Sequence, residues 1–393
     1  MHIAELIAFH VRISLKTTIR HASHTRDAND TLIVRCRLDD GTEGWGEGLP
    51  RPYVTGETIE TAFDQLRACN LKSQLAGSFD DLQAAAVHCD ALELAAPQDG
   101  LRDCFGNTVR CALELSVLDA AARVEGVPLS TVTQLVPETA AIRQSQDRVR
   151  YSAAITSMSP LREICQAGKL RCFGFHQIKV KVGVDGVDDR AALKRIRRIL
   201  GKQVDLRIDA NEAWTCDNLE TKLTPLLPFG ITSIEQPVPH QDVDGLALVR
   251  SRIATPIMLD ESLCSIGDAH RAVERGTCDL FNIRLSKCGG FVNSLRLAAI
   301  AHKAGLGYQL GCQVGETGIL SAAGRHFASS VADIRYLEGS YDRFLVKERL
   351  TKQDLTFGRG GYAPALTAAG LGVEIDEAAL SRVKVREEHW NLA

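Results

Sequence analysis

HQIKVKV (176–182), DLRIDAN (205–211), ITSIEQP (231–237) and PIMLDES (256–262) decide the fold. Each is a short apolar, β-branched run that closes on a charged residue. YSAAITS (151–157) precedes them, and CDLFNIRL (278–285), GYQLGCQ (307–313) and DIRYLEG (333–339) follow. Helix-period stretches lie between, for example 188–200, 241–253, 267–275 and 290–304. Eight strands alternating with crossover helices predict a parallel sheet covered on both faces. Eight is the number that closes into a (β/α) barrel. An open doubly wound sheet is the alternative, but it needs a GxGxxG turn after its first strand, and none stands there.

The strand ends keep a beat. Lys181, Asp209, Glu235, Asp260, Lys287, Gln313 and Glu338 follow one another at steps of 25 to 28 residues. That step fits one strand, one helix and two loops. In a barrel it brings each residue to the C-terminal rim, where barrel active sites are built.

Upstream, TLIVRCRL (31–38) alternates and ends at the turn Asp39-Asp40-Gly41. With residues 2–15 it predicts a small antiparallel sheet. Helical patterns follow at 56–70 and 108–125, the second stopped by Gly126 and Pro128. After about 350 the chain is turn-rich and then polar, and is expected to fold back on the N-terminal part.

The 393 residues carry 46 Lys+Arg and 49 Asp+Glu, a net charge of -3. That balance gives no electrostatic reason to expect nucleic acid or an anionic membrane. No apolar run is long enough to span a bilayer, and the N-terminal stretch is too broken by His10 and Arg12 for a signal peptide. The 12 cysteines form no CxxC pair or zinc-finger spacing. Reduced, buried thiols in a cytoplasmic protein are expected.

On HQIKVKV, Ile178, Val180 and Val182 take one face, and Lys179 and Lys181 take the other. Both lysines then point into the barrel mouth. Two such ammonium groups favour each other's neutral form, which suits a general base. A solvated pair on an edge strand is the plainer alternative. Asp209, Glu235 and Asp260 close adjacent strands, where a carboxylate is costly unless paired or metal-bound. Their oxygens suit Mg²⁺, with Mn²⁺ also possible. The alternative is three separate helix caps or loop salt bridges. Lys287 is placed across the mouth from Lys181, provided the sixth strand ends near Leu285 and the turn resets the alternation. Asn211 shares the face of Asp209, and Arg207 lies one layer deeper. Glu261 has the opposite parity, and His176 and His326 are read as structural.

Lys179-x-Lys181, Asp209-Ala210-Asn211, Glu235-Gln236-Pro237, Asp260-Glu261-Ser262 and Lys287-Cys288-Gly289-Gly290 resemble the enolase superfamily, muconate lactonizing enzyme subgroup. Gly44-Trp45-Gly46-Glu47 and Pro52-Tyr53-Val54-Thr55-Gly56-Glu57 resemble its capping domain. The resemblance implies an α+β capping domain over 1–135 and a modified (β/α)7β TIM-like barrel over 150–345. Residues 346–393 are expected to pack back on the cap. It implies Mg²⁺ on Asp209, Glu235 and Asp260, and Lys181 and Lys287 as paired acid/base lysines. It also implies that Lys179 contacts the substrate carboxylate, and Glu316 resembles a rim acid that supports the site, a helix-start acid being the alternative. Asn211, by its parity, and Glu338, as a binder of a cation or hydroxyl, are assigned to substrate binding with them; a loop salt bridge is the alternative for Glu338.

The activity implied is removal of a proton α to a carboxylate through an enediolate. Racemisation, epimerisation and cycloisomerisation all follow from it. A lyase or dehydratase using the same intermediate is the alternative. Specificity is assigned to a capping loop around 16–30 (His21, His24, Arg26, Asp27) and to the end of the eighth strand. Dipeptide epimerases of the subgroup carry Asp-x-Asp there. Glu338-Gly339-Ser340 departs from it, which argues against dipeptides. A non-catalytic barrel and a Schiff-base barrel using Lys181 are the remaining alternatives. The partner is a small carboxylate, and a homo-oligomer is expected.

Overall fold

The computed structural model describes residues 1–20, 25–94, 102–156 and 159–392, and its N-terminal part is an antiparallel sheet. Strand β1 (Ile3–Arg20) pairs antiparallel with β2 (Thr25–Leu38), which pairs with β3 (Glu43–Gly48). Residues 16–20 and 25–30 are therefore strand, not the loop expected there. His21 and His24 lie outside the described residues.

Helix α1 (Asn107–Glu125) packs flat on this sheet, and β3 shows why it can. A Cβ on Gly44 would meet the Ala120 main chain at 2.2 Å, and one on Gly46 the Ala112 carbonyl at 1.9 Å. Only glycine permits that approach. The residues between point the other way. Trp45 stacks on Phe9 with centroids 6.0 Å apart. Glu47 reaches the barrel.

The barrel strands are β4 (Ala153–Ile155), β5 (Gln177–Lys181), β6 (Asp205–Asp209), β7 (Ile231–Glu235), β8 (Ile257–Leu259), β9 (Leu280–Ile283), β10 (Gly307–Leu310) and β11 (Ile334–Leu337). They lie in sequence order, each pair parallel. The Ser152 N–H donates to the Leu337 carbonyl at 2.7 Å and joins the first strand to the last. Among the described residues seven α-helices lie in the seven connections, so the observed fold is the (β/α)7β barrel with an α+β cap. Ile178, Val180, Leu206, Ile208 and Ile234 are buried, as a sheet covered on both faces requires. Strand β12 (Lys384–Asn391) pairs antiparallel with β1 and brings the C-terminus onto the cap sheet. Among the described residues, no helix is long and apolar enough to cross a membrane.

Two cap carboxylates dock on barrel helices. Glu114 of α1 accepts from the Val292 N–H at 3.1 Å, at the start of α2 (Phe291–Lys303). Glu47 accepts from the N–H groups of Thr317 and Leu320, both at 2.9 Å, at the start of α3 (Gly318–Ser330). Carboxylates satisfy the free N–H groups and dipole of a helix N-terminus. Arg51 donates to the Val314 carbonyl at 2.9 Å, which holds the cap over the C-terminal mouth.

Candidate active site

Register places the key side chains in a row. Lys181 pairs with Asp209, and Asp209 with Glu235, as direct Cα partners across β5, β6 and β7. Asp260 follows β8 directly. All three carboxylates are buried, Glu235 and Asp260 completely. Just past the acids, Asn211, Glu212 and Gln236 have positive φ (42°, 66° and 32°), as does Ser340 (55°) after Glu338. Non-glycine residues held there are strained, and such strain gathers where geometry serves function.

Lys179 lies beneath the row. Its ammonium donates to Glu235 at 3.0 and 3.2 Å and lies 2.9 Å from Glu338 and 3.5 Å from Asp209. Burial would lower its pKa, but Glu235, Glu338 and Asp209 outweigh burial and raise it. Glu338 is held down to about 2: burial opposes this, and Lys179 and Arg207 overcome it. Arg207 is ion-paired to Glu338 and donates to Gln309 at 2.9 Å. Glu338 is thus committed to two cations of the protein. Lys179 shares one charge among three acids, so Glu235 stays poorly compensated. Its pKa rises to about 7, first through burial and then through Asp209, Glu338 and Asp260 against Lys179.

Lys181 differs from every other cation of the row. It is half-buried and makes no hydrogen bond or ion pair to any described residue. Its amine is free for a ligand.

Lys287 does not face the mouth, which corrects the sequence expectation. Its side chain is fully enclosed. Its ammonium donates to Asp260 Oδ1 at 2.9 Å, to the Asp260 carbonyl at 2.6 Å and to the Asn282 carbonyl at 2.8 Å. All three protons are used. The alternation set by Asn282, whose amide donates to Glu235 at 3.0 Å, continues to Arg284 instead. Arg284 is the one residue of 280–292 that is not buried. It is ion-paired to Asp260 and lies 3.7 Å from Glu235. Asp260 is accordingly held down to about 2, burial being outweighed by Arg284 and Lys287.

Glu316 accepts from the Gln313 N–H at 2.6 Å; burial pushes it up to about 8, with Glu47 adding to the effect. Asn211 donates its main-chain N–H to Asp209 at 3.0 Å. Gln313 had no role in the sequence reading. It is buried, yet neither atom of its carboxamide has a hydrogen-bond partner among the described residues. Its place in the beat was the signal that could have singled it out.

The donor set fits a hard divalent ion: three adjacent buried carboxylates, one of them short of positive charge. Among the described residues, no three acidic, His or Cys side chains yet close on a common point. The cations of Lys179 and Arg284 reach between them.

Comparison with known proteins agrees with this architecture. Residues 163–379 match the family described as Enolase C-terminal domain-like. The chain is 31% identical over 346 residues to the L-Lys-D/L-Arg epimerase of Methylococcus capsulatus, covering 87% of this chain and 91% of that enzyme. It is 30% identical over 328 residues to the hydrophobic dipeptide epimerase of Enterococcus faecalis, covering 83% and 87%. A crystal structure of a dipeptide epimerase from Enterococcus faecalis V583, complexed with Mg and L-Leu-L-Tyr, superposes with a TM-score of 0.81 at 27% identity, over 95% of this chain and 100% of that one. Barrel, cap and matched sequence lead to one assignment: the chain belongs to the enolase superfamily, in its mandelate racemase/muconate lactonizing enzyme-like branch.

Proposed function

We propose that this protein is a metal-dependent isomerase that removes the proton α to a small substrate's carboxylate, with Lys181 as the base. The observation that carries the reading is the unpartnered Lys181 amine beside three buried carboxylates in register. Asp209, Glu235 and Asp260 would hold Mg²⁺, or Mn²⁺ in its place. When bound, the metal supplies Lewis-acid stabilisation for the charge that develops on the substrate carboxylate.

The chain's own residues do the rest. Lys181 takes the proton as the α C–H bond breaks, and the electron pair moves onto the carboxylate as an enediolate. Lys179 adds fixed positive charge beneath that carboxylate. Arg284, not Lys287, stands at the other end of the row. The orphaned carboxamide of Gln313 is suited to a polar group of the substrate. The named relatives are epimerases of dipeptides, which supports a small amino-acid-derived carboxylate as substrate. Glu338 is neutralised by Lys179 and Arg207, so it is a poor clamp for a substrate ammonium. N-acylated amino acids and lactone precursors are favoured accordingly.

Incubation of the Mg²⁺-supplemented enzyme in D₂O with carboxylate libraries, read by mass, tests the proposal. Deuterium gain at the α carbon, or an isomer of unchanged mass, is expected for one substrate class. Failure of every α-protonated carboxylate to exchange or isomerise would sink it.

A further inference from the structure

Lys181 ends β5 and Arg284 follows β9, and the strands that carry the three acids lie between them. These two side chains therefore flank whatever acid sits over the carboxylates. Arg284 is built into that position. One arm is ion-paired to Asp260 and lies near Glu235, while its buried Nε–H has no acceptor among the described residues. A donor left over beside a row of carboxylates is suited to an anionic oxygen of a ligand. Among the described residues no amine replaces it on that side: the Lys287 ammonium is enclosed and saturated.

Resting on the proposed proton abstraction by Lys181, we infer that this enzyme is a one-base catalyst: protons enter and leave the α carbon only from the Lys181 face, and the Arg284 face supplies charge but no proton. A guanidinium is not deprotonated in proteins and offers no lone pair to a departing proton. Inversion requires removal on one face and delivery on the other, so neither direction is served here.

The intermediate then has two balanced exits. In one, Lys181 returns its proton to the same face, and the C–H bond re-forms with the original configuration. In the other, the electron pair moves from the enediolate to form a Cα–Cβ double bond as a bond from Cβ to oxygen breaks. The departing oxygen takes the bonding pair, and the proton held by Lys181 passes to it or to solvent. Where that oxygen stays tethered in the molecule, the product is an isomer; where it does not, the result is elimination. The inference therefore selects cycloisomerisation or elimination over racemisation.

The test uses single-enantiomer N-acyl amino acids, dipeptides and β-lactonised acids with Mg²⁺ in D₂O, read by mass and by chiral chromatography. The wild type is expected either to exchange the α proton with retained configuration or to eliminate. Inversion should be at least about a hundredfold slower than exchange, the smallest usual contribution of a positioned acid or base. Arg284→Lys, which restores an amine, is expected to raise the inverted, deuterated product. Inverted product from the wild type at the rate of exchange would overturn the one-base inference and leave Lys181 as base. Absence of any exchange, isomerisation or elimination in the wild type would instead overturn the parent reading and, with it, this one.

Discussion

Lys287 and Asp260 are joined twice: one ammonium donates both to the carboxylate, at 2.9 Å, and to the carbonyl of the same residue, at 2.6 Å. The lysine fixes the carboxylate's position from behind and has no proton left for chemistry. Lys287→Met should therefore act on stability. Removing one partner of a buried ion pair costs about 3–5 kcal/mol. Urea denaturation is expected to show a loss of that order, and a variant as stable as the wild type would place Lys287 elsewhere.

The carboxylate row should respond to metal directly. A ligand that binds only the folded state at a hundredfold excess over Kd adds about 2.7 kcal/mol. Mg²⁺ is therefore expected to raise the Tm of the wild type, and Glu235→Gln and Asp209→Asn should abolish the shift. An undiminished shift in both variants would move the ion to other ligands.

Glu338 is read as a counter-ion and not as a substrate clamp. Glu338→Gln would leave the guanidinium of Arg207 without its carboxylate and Lys179 with one fewer. Thermal denaturation is expected to show marked destabilisation even with no substrate present. A change confined to KM at unchanged Tm would restore the clamp.

Cap docking carries its own pH signature. Burial pushes Glu114 up to about 7, against 4.5 as its ordinary value. Between those two pH values the folded state keeps a proton that the unfolded chain has released. Stability from this group is therefore full below about pH 4.5 and falls as pH rises toward 7. Glu114→Gln keeps a neutral acceptor for the helix N–H groups. Relative to wild type, it should gain up to about 3 kcal/mol between pH 4.5 and 8, taken as 2.5 pKa units at 1.36 kcal/mol each. Parallel pH–stability curves for the two proteins would refute the assignment.

Much of this was legible in the sequence because the barrel repeats. Each apolar run had to be a buried strand, and the 25 to 28 residue beat put Asp209, Glu235 and Asp260 on one rim. The second flanking residue was misplaced because Lys287 kept the beat while Arg284 kept the strand alternation from Asn282. Alternation was the better guide: β9 ends at Ile283, and the next side chain is still aimed inward. The docking of Glu47 and Glu114 was not legible. Their partners lie 270 and 177 residues away, and only the packed cap brings them within reach. The pairing of Glu338 with Arg207 was hidden likewise, since it spans the barrel interior between β6 and β11.

The account turns on one proton. α-Deuterium incorporation in D₂O, followed by NMR for wild type and Lys181→Ala at matched Mg²⁺ and matched Tm, measures its transfer directly. The account predicts ready incorporation by the wild type and at least about a hundredfold loss in the variant. Equal incorporation by the two proteins would contradict it.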